Sequence, residues 1–210
     1  MPERIDLFAA IDTQRGIRNF KSDPVPDELI TQLLQAAIKA PSGGVRQGWN
    51  FIVIRDQEIR RKIGDLYRTG TRFVISPDMT AQERRVYTAA QYLEDHMDEV
   101  PVFILACIHV DAGATLSGAS IFPAVQNILL AARGLGLGSA MTTRQTRFEE
   151  EIKQMLGIPE NVATVALLPI GFPAEGSRYG PTRRRPLEEV AFSDRWGESW
   201  QYHTSSNRVV

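Results

Sequence analysis

Residues 102–110, with the sequence VFILACIHV, are an apolar run that predicts a buried central strand. The stretch at residues 112–132 carries no formal charge and predicts a helix buried on most sides of a core or in a subunit interface. Pro123 and Gln126 are among several polar or helix-breaking residues that argue against a lipid-facing membrane span there. Cys107, inside the strand, is expected to be a buried and unreactive thiol.

Further strands and helices are predicted before and after this strand and helix. Strands are predicted at residues 49–54, 139–143 and 162–170, and helices at residues 3–14, 26–40, 57–67, 80–97 and 149–156. Strands separated by helices exclude all-α and all-β folds, and the element order is not a regular βαβ repeat, so an α+β fold with a mixed sheet is predicted. No repeat or linker divides the chain, and residues 1–210 are expected to form one domain.

Charge and cysteine content exclude several classes of function. The chain has 24 basic and 25 acidic side chains and a formal net charge of −1, so no global field would hold it on nucleic acid or on an anionic membrane. A single cysteine excludes a disulfide framework and a thiolate zinc cluster. The histidines, His96, His109 and His203, are far apart, and no metal site is predicted. No secretory signal is visible, which predicts a cytoplasmic protein.

Arginines near both ends of the chain are candidate anion ligands. Arg15 and Arg18 stand around Gly16 just after a predicted helix, and two guanidinium groups in this arrangement can bracket a phosphate. Near the other end, Arg178 and the run at residues 183–185 offer a guanidinium that could close on a phosphate from across the fold. A solvated helix end and a solvated charge run are the alternatives for the two segments.

Two loops of small residues join helices to strands. Residues 40–49, APSGGVRQGW, place several hydrogen-bonding groups where flat polar ligands are often held, with a plain turn as the alternative. Residues 134–139, GLGLGS, are not a dinucleotide-binding fingerprint, because a helix precedes them, a strand follows, and the spacing is G-x-G-x-G. Gly134 is predicted to cap the preceding helix, and Thr142 and Thr143 could present hydroxyl groups at a strand end.

Side chains typical of acid–base or nucleophilic catalysis are few. Carboxylate pairs such as Glu94 and Asp95 lie on polar helices and are predicted to face solvent. The chain contains no G-x-S-x-G elbow and no H-E-x-x-H motif. Anion-binding arginines without an evident catalytic side chain suggest a cofactor that performs the reaction itself.

In their order along the chain, these segments resemble the FMN-dependent nitroreductase family. The matching pieces are QRGIRNF at residues 14–20, PVP at 24–26, APSGG at 40–44, QGWNF at 47–51, QN at 126–127, GLGS at 136–139, LGIP at 156–159, LPIGFP at 168–173 and RRPL at 184–187. The resemblance implies a mixed, mainly antiparallel sheet flanked by helices, in an intertwined homodimer with FMN at its interface. It also implies that residues from about 186 to 210 form a C-terminal arm that reaches the partner subunit.

The resemblance implies roles toward FMN for individual residues. Arg15, Arg18 and Arg184 would hold the phosphate. Gln14 and Gly16 belong to the same cofactor-binding segment, although the family commonly has Arg and Ser at these two positions. The loop residues that would flank the isoalloxazine ring are Pro41, Ser42, Gly43 and Gln47.

The implied chemistry takes place at flavin N5 and needs no catalytic side chain. Thr142 and Thr143 would approach N5, and Thr143 is the candidate to assist there. The implied activity is a ping-pong transfer of hydride from NADH or NADPH to a nitroaromatic, a quinone or a similar flat, electron-poor acceptor. Reductive dehalogenation, flavin fragmentation and flavin binding without turnover are the alternatives. Tyr67, Phe73 and Tyr92 are candidates to stack on a substrate, with ordinary packing as the alternative.

Overall fold

The computed structural model describes residues 5–70, 74–110 and 118–200. The helices in these segments are α1 (Leu7–Thr13), α2 (Asp27–Ala37), α3 (Gln57–Thr69), α4 (Ala81–Asp95), α5 (Gly118–Gly134) and α6 (Glu149–Leu156). The strands are β1 (Trp49–Ile54), β2 (Val102–His109), β3 (Gly138–Ser139) and β4 (Val162–Gly171). Phe73, the first part of the predicted uncharged helix and the last ten residues of the predicted arm lie outside the described residues.

The strands form one sheet with the order β1-β2-β4-β3, in which every neighbouring pair is antiparallel. Trp49 of β1 faces Ile108 of β2, and β2 lies inside the sheet as predicted. Gly16 and Ser139 add a parallel bridge at the β3 edge. The predicted α+β fold with a mixed, mainly antiparallel sheet is confirmed.

Both faces of β2 are buried, which explains its unbroken apolar sequence. Because successive side chains of a strand point to opposite faces, Val102 and Ile104 pack in one core with α2 and α5. Phe103 and Leu105 pack in a second core with α3, α4 and α6. Among the helices of the described segments, none is both long enough and apolar enough to span a bilayer.

Strand β3 is shorter than the predicted strand at residues 139–143. Regular pairing with β4 ends at Ser139 and resumes at Thr142, which exchanges two backbone hydrogen bonds with Leu167 at 3.0 and 2.9 Å. Pro169 stands on β4 between these positions and has no backbone N–H to donate, so the ladder is interrupted there.

The end of α5 differs from the predicted glycine cap. Gly134 is still helical, and Gly136 has the left-handed φ of +75° instead. The N–H of Leu137 donates to the carbonyl oxygen of Ala132 at 2.8 Å across this turn. Gly136 is therefore the residue that turns the chain from α5 into β3, because a positive φ carries no steric cost for glycine.

Cys107 is buried as predicted, with 1% of its surface exposed. Burial, followed by the charge of Glu149, raises the pKa of the thiol to about 11, so the reactive thiolate is scarce at neutral pH. We expect Ellman's reagent to leave the folded protein unmodified and to label the single cysteine of the chain in guanidinium chloride. Rapid stoichiometric labelling of the folded protein would contradict this burial.

Candidate functional site

A cavity of about 340 Å³ lies beside the first arginine segment, at the β3 edge of the sheet. The parts of the chain that line it are residues 15–19, Ala89 and Tyr92 of α4, and residues 176–178. Because Arg15, Arg18 and Arg178 are among the lining residues, we call it the arginine cavity.

The first arginine segment is held in place by the edge of the sheet. The N–H of Ile17 donates to the carbonyl oxygen of Ser139 at 2.9 Å, and that of Lys21 donates to Phe172 at 2.9 Å. Ile17 is buried and packs so closely on Gly138 that a Cβ on this glycine would lie 2.7 Å from Ile17 Cγ2. The arginines of the segment therefore leave the sheet edge from a fixed backbone.

Arg15 and Arg18 bring two positive charges to the arginine cavity, and no carboxylate of the described residues pairs with either of them. Arg18 is half-buried, and burial, followed by the charge of Arg15, lowers the pKa of its guanidinium. The guanidinium of Arg18 rests against Gly16, where a Cβ would lie 3.1 Å from Nη1. A bound anion would stabilise both cations through charge-assisted hydrogen bonds.

The stretch that follows β4 contacts the first arginine segment and brings Arg178 to the arginine cavity. The hydroxyl of Ser177 donates to the carbonyl oxygen of Asn19 at 3.2 Å. The N–H of Gly180 donates to the carbonyl oxygen of Thr13 at 2.6 Å, and a Cβ at Gly180 would lie 2.9 Å from Thr13 Cα. Two segments from opposite ends of the chain thus share one cavity wall.

A second cavity, of about 190 Å³, also has Arg18 in its lining, so the two cavities meet at this residue. We call it the threonine cavity, because Thr142 and Thr143 line it together with residues of α3 and α4. The hydroxyl oxygen of Thr142 accepts from the N–H of Arg144 at 3.4 Å and lies 3.5 Å from the hydroxyl of Tyr67. Arg18 therefore lies between the cavity of Arg15 and Gly16 and the cavity of both predicted threonines.

The threonine cavity contains a buried ion pair that the sequence analysis missed. Glu94 of α4 is 5% exposed and pairs with Arg144, so the prediction that Glu94 faces solvent is wrong. Most of α4 is polar, and nothing in its own spacing distinguishes the one carboxylate that turns inward. The local sign is that its neighbour Leu93 is an apolar residue and is buried in the second core.

The aromatic candidates fall in different environments. Tyr67 is 1% exposed in the second core, and burial raises the pKa of its phenol. Tyr92 lines the arginine cavity, where its ring stacks on His96 with 4.0 Å between centroids. Its hydroxyl donates to the side-chain oxygen of Asn19 at 3.3 Å. Tyr92 is therefore the aromatic residue that a ligand in the arginine cavity would meet.

The remaining predicted cofactor residues line neither cavity in the part of the chain that the structure describes. They are Gln14, Pro41, Ser42, Gly43, Gln47 and Arg184. The N–H of Gln47 donates to the hydroxyl of Ser42 at 2.8 Å, and that of Gly43 donates to Ser120 at the start of α5 at 3.3 Å. Arg184 is exposed, and its Nη1 donates to the preceding carbonyl oxygen at 3.3 Å. Their roles stay predictions.

The fold and the two cavities define an α+β protein with an arginine-lined cavity at the edge of its sheet. The profile of the Nitroreductase family matches residues 11–172, which extend from α1 through β4. The chain belongs to the nitroreductase family.

The relatives that match the chain are named for different redox reactions. The chain is 32% identical over 178 residues to a protein of Methanothermobacter thermautotrophicus provisionally named NADH dehydrogenase/NAD(P)H nitroreductase, with 82% of this chain and 80% of that protein covered. It is 26% identical over 204 residues to iodotyrosine deiodinase 1 of Rattus norvegicus, with 88% and 68% covered. The crystal structure of oxidized iodotyrosine deiodinase bound to FMN and 3-iodo-L-tyrosine has a TM-score of 0.71 at 22% identity, with 89% of this chain and all 100% of that chain covered. This last likeness shows a shared fold.

Proposed function

We propose that this protein is an FMN-dependent oxidoreductase that takes hydride from NADH or NADPH and passes it to a flat, electron-poor acceptor such as a nitroaromatic or a quinone. The observation that carries the proposal is the arginine cavity, where no described carboxylate pairs with Arg15 or Arg18. The phosphate monoester of FMN carries a charge of about −1.5 to −2 at neutral pH, which suits such a site. Family membership, the FMN named in the deiodinase structure and the NAD(P)H named for the archaeal relative support the same conclusion.

In this proposal the two adjoining cavities would take the two ends of FMN. Arg15 and Arg18 would bind the phosphate, and Thr142 and Thr143 would face the ring from the second cavity. FMN supplies the hydride transfer when it is bound, so the chain's own task is to bind, orient and shield. Because the sheet edge fixes these hydrogen-bond donors, they need little reorganisation when negative charge develops near them.

We also propose a homodimer that completes the site. Residues 41–47 carry the predicted ring contacts but line neither cavity of their own protomer, so a second protomer would have to bring them to FMN. An apolar groove of about 580 Å³, lined among others by Leu7 and Leu130, lies between α1, α2 and α5, and Phe8 of α1 is 70% exposed. Trp196, in the predicted arm, is 92% exposed. Exposed apolar surface of this kind is typical of subunit contacts, and sedimentation equilibrium should give twice the chain mass.

Reductive dehalogenation of a halophenol is a second candidate, because the chain aligns with rat iodotyrosine deiodinase 1 over 204 residues at 26% identity. This activity would use the same two cavities with a different acceptor. Flavin fragmentation, flavin binding without turnover and a cytoplasmic location stay predictions from the sequence.

Anaerobic reduction of the FMN-loaded protein tests the proposed function. We expect NADH or NADPH to bleach the flavin absorbance, and a nitroaromatic or a quinone to restore it. Restoration only by an iodinated phenol, with release of iodide, would assign the dehalogenation instead. A flavin band that neither nucleotide changes would contradict the oxidoreductase and leave a flavin-binding protein.

A further inference from the structure

We infer that Arg178 is the third guanidinium of the phosphate site, so that each protomer holds the anion between two segments from opposite ends of its own chain. This inference rests on the proposed binding of FMN. It differs from the expectation that the family resemblance gave, in which Arg184 has this role.

The first step is the shared cavity. Arg178 lines the arginine cavity with Arg15 and Arg18, and the other lining residues, which include Asn19 and Ser177, are uncharged. No described carboxylate pairs with Arg178 either. Three positive charges without a negative one suit a phosphate that is close to a dianion, and forked guanidinium groups can share its three terminal oxygens.

The second step is that the residues on both sides of Arg178 are held in place, one by the first arginine segment and the other by α1 and α5. Ser177 donates to the carbonyl oxygen of Asn19 at 3.2 Å on one side. On the other side, the ring of Tyr179 lies under the guanidinium of Arg133 at 4.1 Å, and Arg133 Nε donates to Thr13 Oγ1 at 2.7 Å. Arg178 is therefore positioned relative to the other two arginines before any ligand binds, which reduces the entropy lost on binding.

The third step is the contrast with the later arginine run. The side chains of Arg178 and Arg184 are both exposed, but Arg184 Nη1 donates to the carbonyl oxygen of Arg183 at 3.3 Å. The neighbouring Arg185 donates to Glu189 within the same tail at 3.0 Å. Neither Arg184 nor Arg185 lines the arginine cavity in the described part of the chain.

The test compares dissociation constants for FMN and riboflavin, measured by flavin fluorescence with the full-length protein and four variants, which include Arg184→Ala. We expect Arg178→Ala to weaken FMN binding roughly 10- to 150-fold, the range for a hydrogen bond to a charged group. Riboflavin binding should not change, because riboflavin has no phosphate. Arg178→Lys should recover part of the loss, because a lysine keeps the charge but not the fork. Arg85→Ala is the control, because it removes an exposed arginine that lines neither cavity, and it should bind FMN like the wild type.

The outcomes separate this inference from the proposed function. Wild-type protein that does not bind flavin would overturn the proposed function. Wild-type protein that prefers FMN over riboflavin, with the same preference retained in Arg178→Ala, would overturn the inference alone. A loss in Arg184→Ala that exceeds the loss in Arg178→Ala would assign the third guanidinium to Arg184. Should alanine lower the yield of folded protein, Arg178→Gln provides the same comparison, and the thermal melt of each variant without flavin verifies its fold.

Discussion

Arg18→Ala will weaken FMN binding by about 1.5–3 kcal/mol, which is roughly 10- to 150-fold in the dissociation constant. Arg18 lines both cavities and is half-buried, so its guanidinium is less screened by water than that of the exposed Arg15. FMN binding should therefore raise the melting temperature of the wild type more than that of the variant, because a ligand that binds the native state stabilises it in proportion to the logarithm of its affinity.

The melt without FMN distinguishes a binding role of Arg18 from a structural one. The unliganded protein carries the cost of a desolvated Arg18 close to Arg15, so the alanine variant should melt at the same temperature or higher without flavin. Arg85→Ala, which removes an exposed arginine from α4, is the control and should match the wild type in both melts. A lower melting temperature without flavin, together with an unchanged flavin-induced shift, would show that Arg18 serves the fold and not the ligand.

Glu94→Ala will destabilise the protein by about 3–5 kcal/mol, because it leaves the Arg144 guanidinium buried without this carboxylate. Glu94 is 5% exposed, so water cannot replace the lost partner. For a chain of this length the loss corresponds to a fall in melting temperature of roughly 6–20 °C. Arg144→Ala should be destabilising for the same reason, since it leaves the carboxylate buried.

A double-mutant cycle verifies that the two side chains act as a pair. Removing both charges should cost less stability than the sum of the two single changes, because the double variant leaves neither the Glu94 carboxylate nor the Arg144 guanidinium buried without the other. Asp95→Ala, which changes an exposed carboxylate next to Glu94, is the control and should cost less than about 1 kcal/mol. The pair contributes nothing to stability if the losses of the two single variants add up to the loss of the double variant and each is as small as the loss in Asp95→Ala.

The fold was predictable where local pattern and tertiary environment agree. The limits of β1 and α6 match the structure, and β2 was recognised because burial on both faces requires an unbroken apolar run. The short β3 was not predicted, because its interruption depends on Pro169, which lies on another strand. The cap of α5 was misplaced by two residues because several glycines in succession satisfy the same local rule.

Some residues of the candidate site could be predicted from the sequence, and others could not. Arg15, Gly16 and Arg18 were recognised because they are close in sequence, and the structure brings Arg18 into one cavity with Thr142. Arg178 was noticed only as part of a charged region, because hydrogen bonds between the two ends of the chain bring it to the cavity. The pair of Glu94 and Arg144 was missed because neither sequence segment carries a sign of the other. The spacing of residues within one segment does not specify which distant segment it will contact.

The most direct test of the central claim, a phosphate-recognising flavin site, is the absorbance spectrum of the purified wild-type protein after incubation with excess FMN, or with excess riboflavin, and removal of the free ligand by gel filtration. Guanidinium recognition of the phosphate predicts that a flavin band elutes with the protein after FMN and is much weaker after riboflavin. A protein fraction that is colourless in both cases, or equally yellow in both, would contradict the claim.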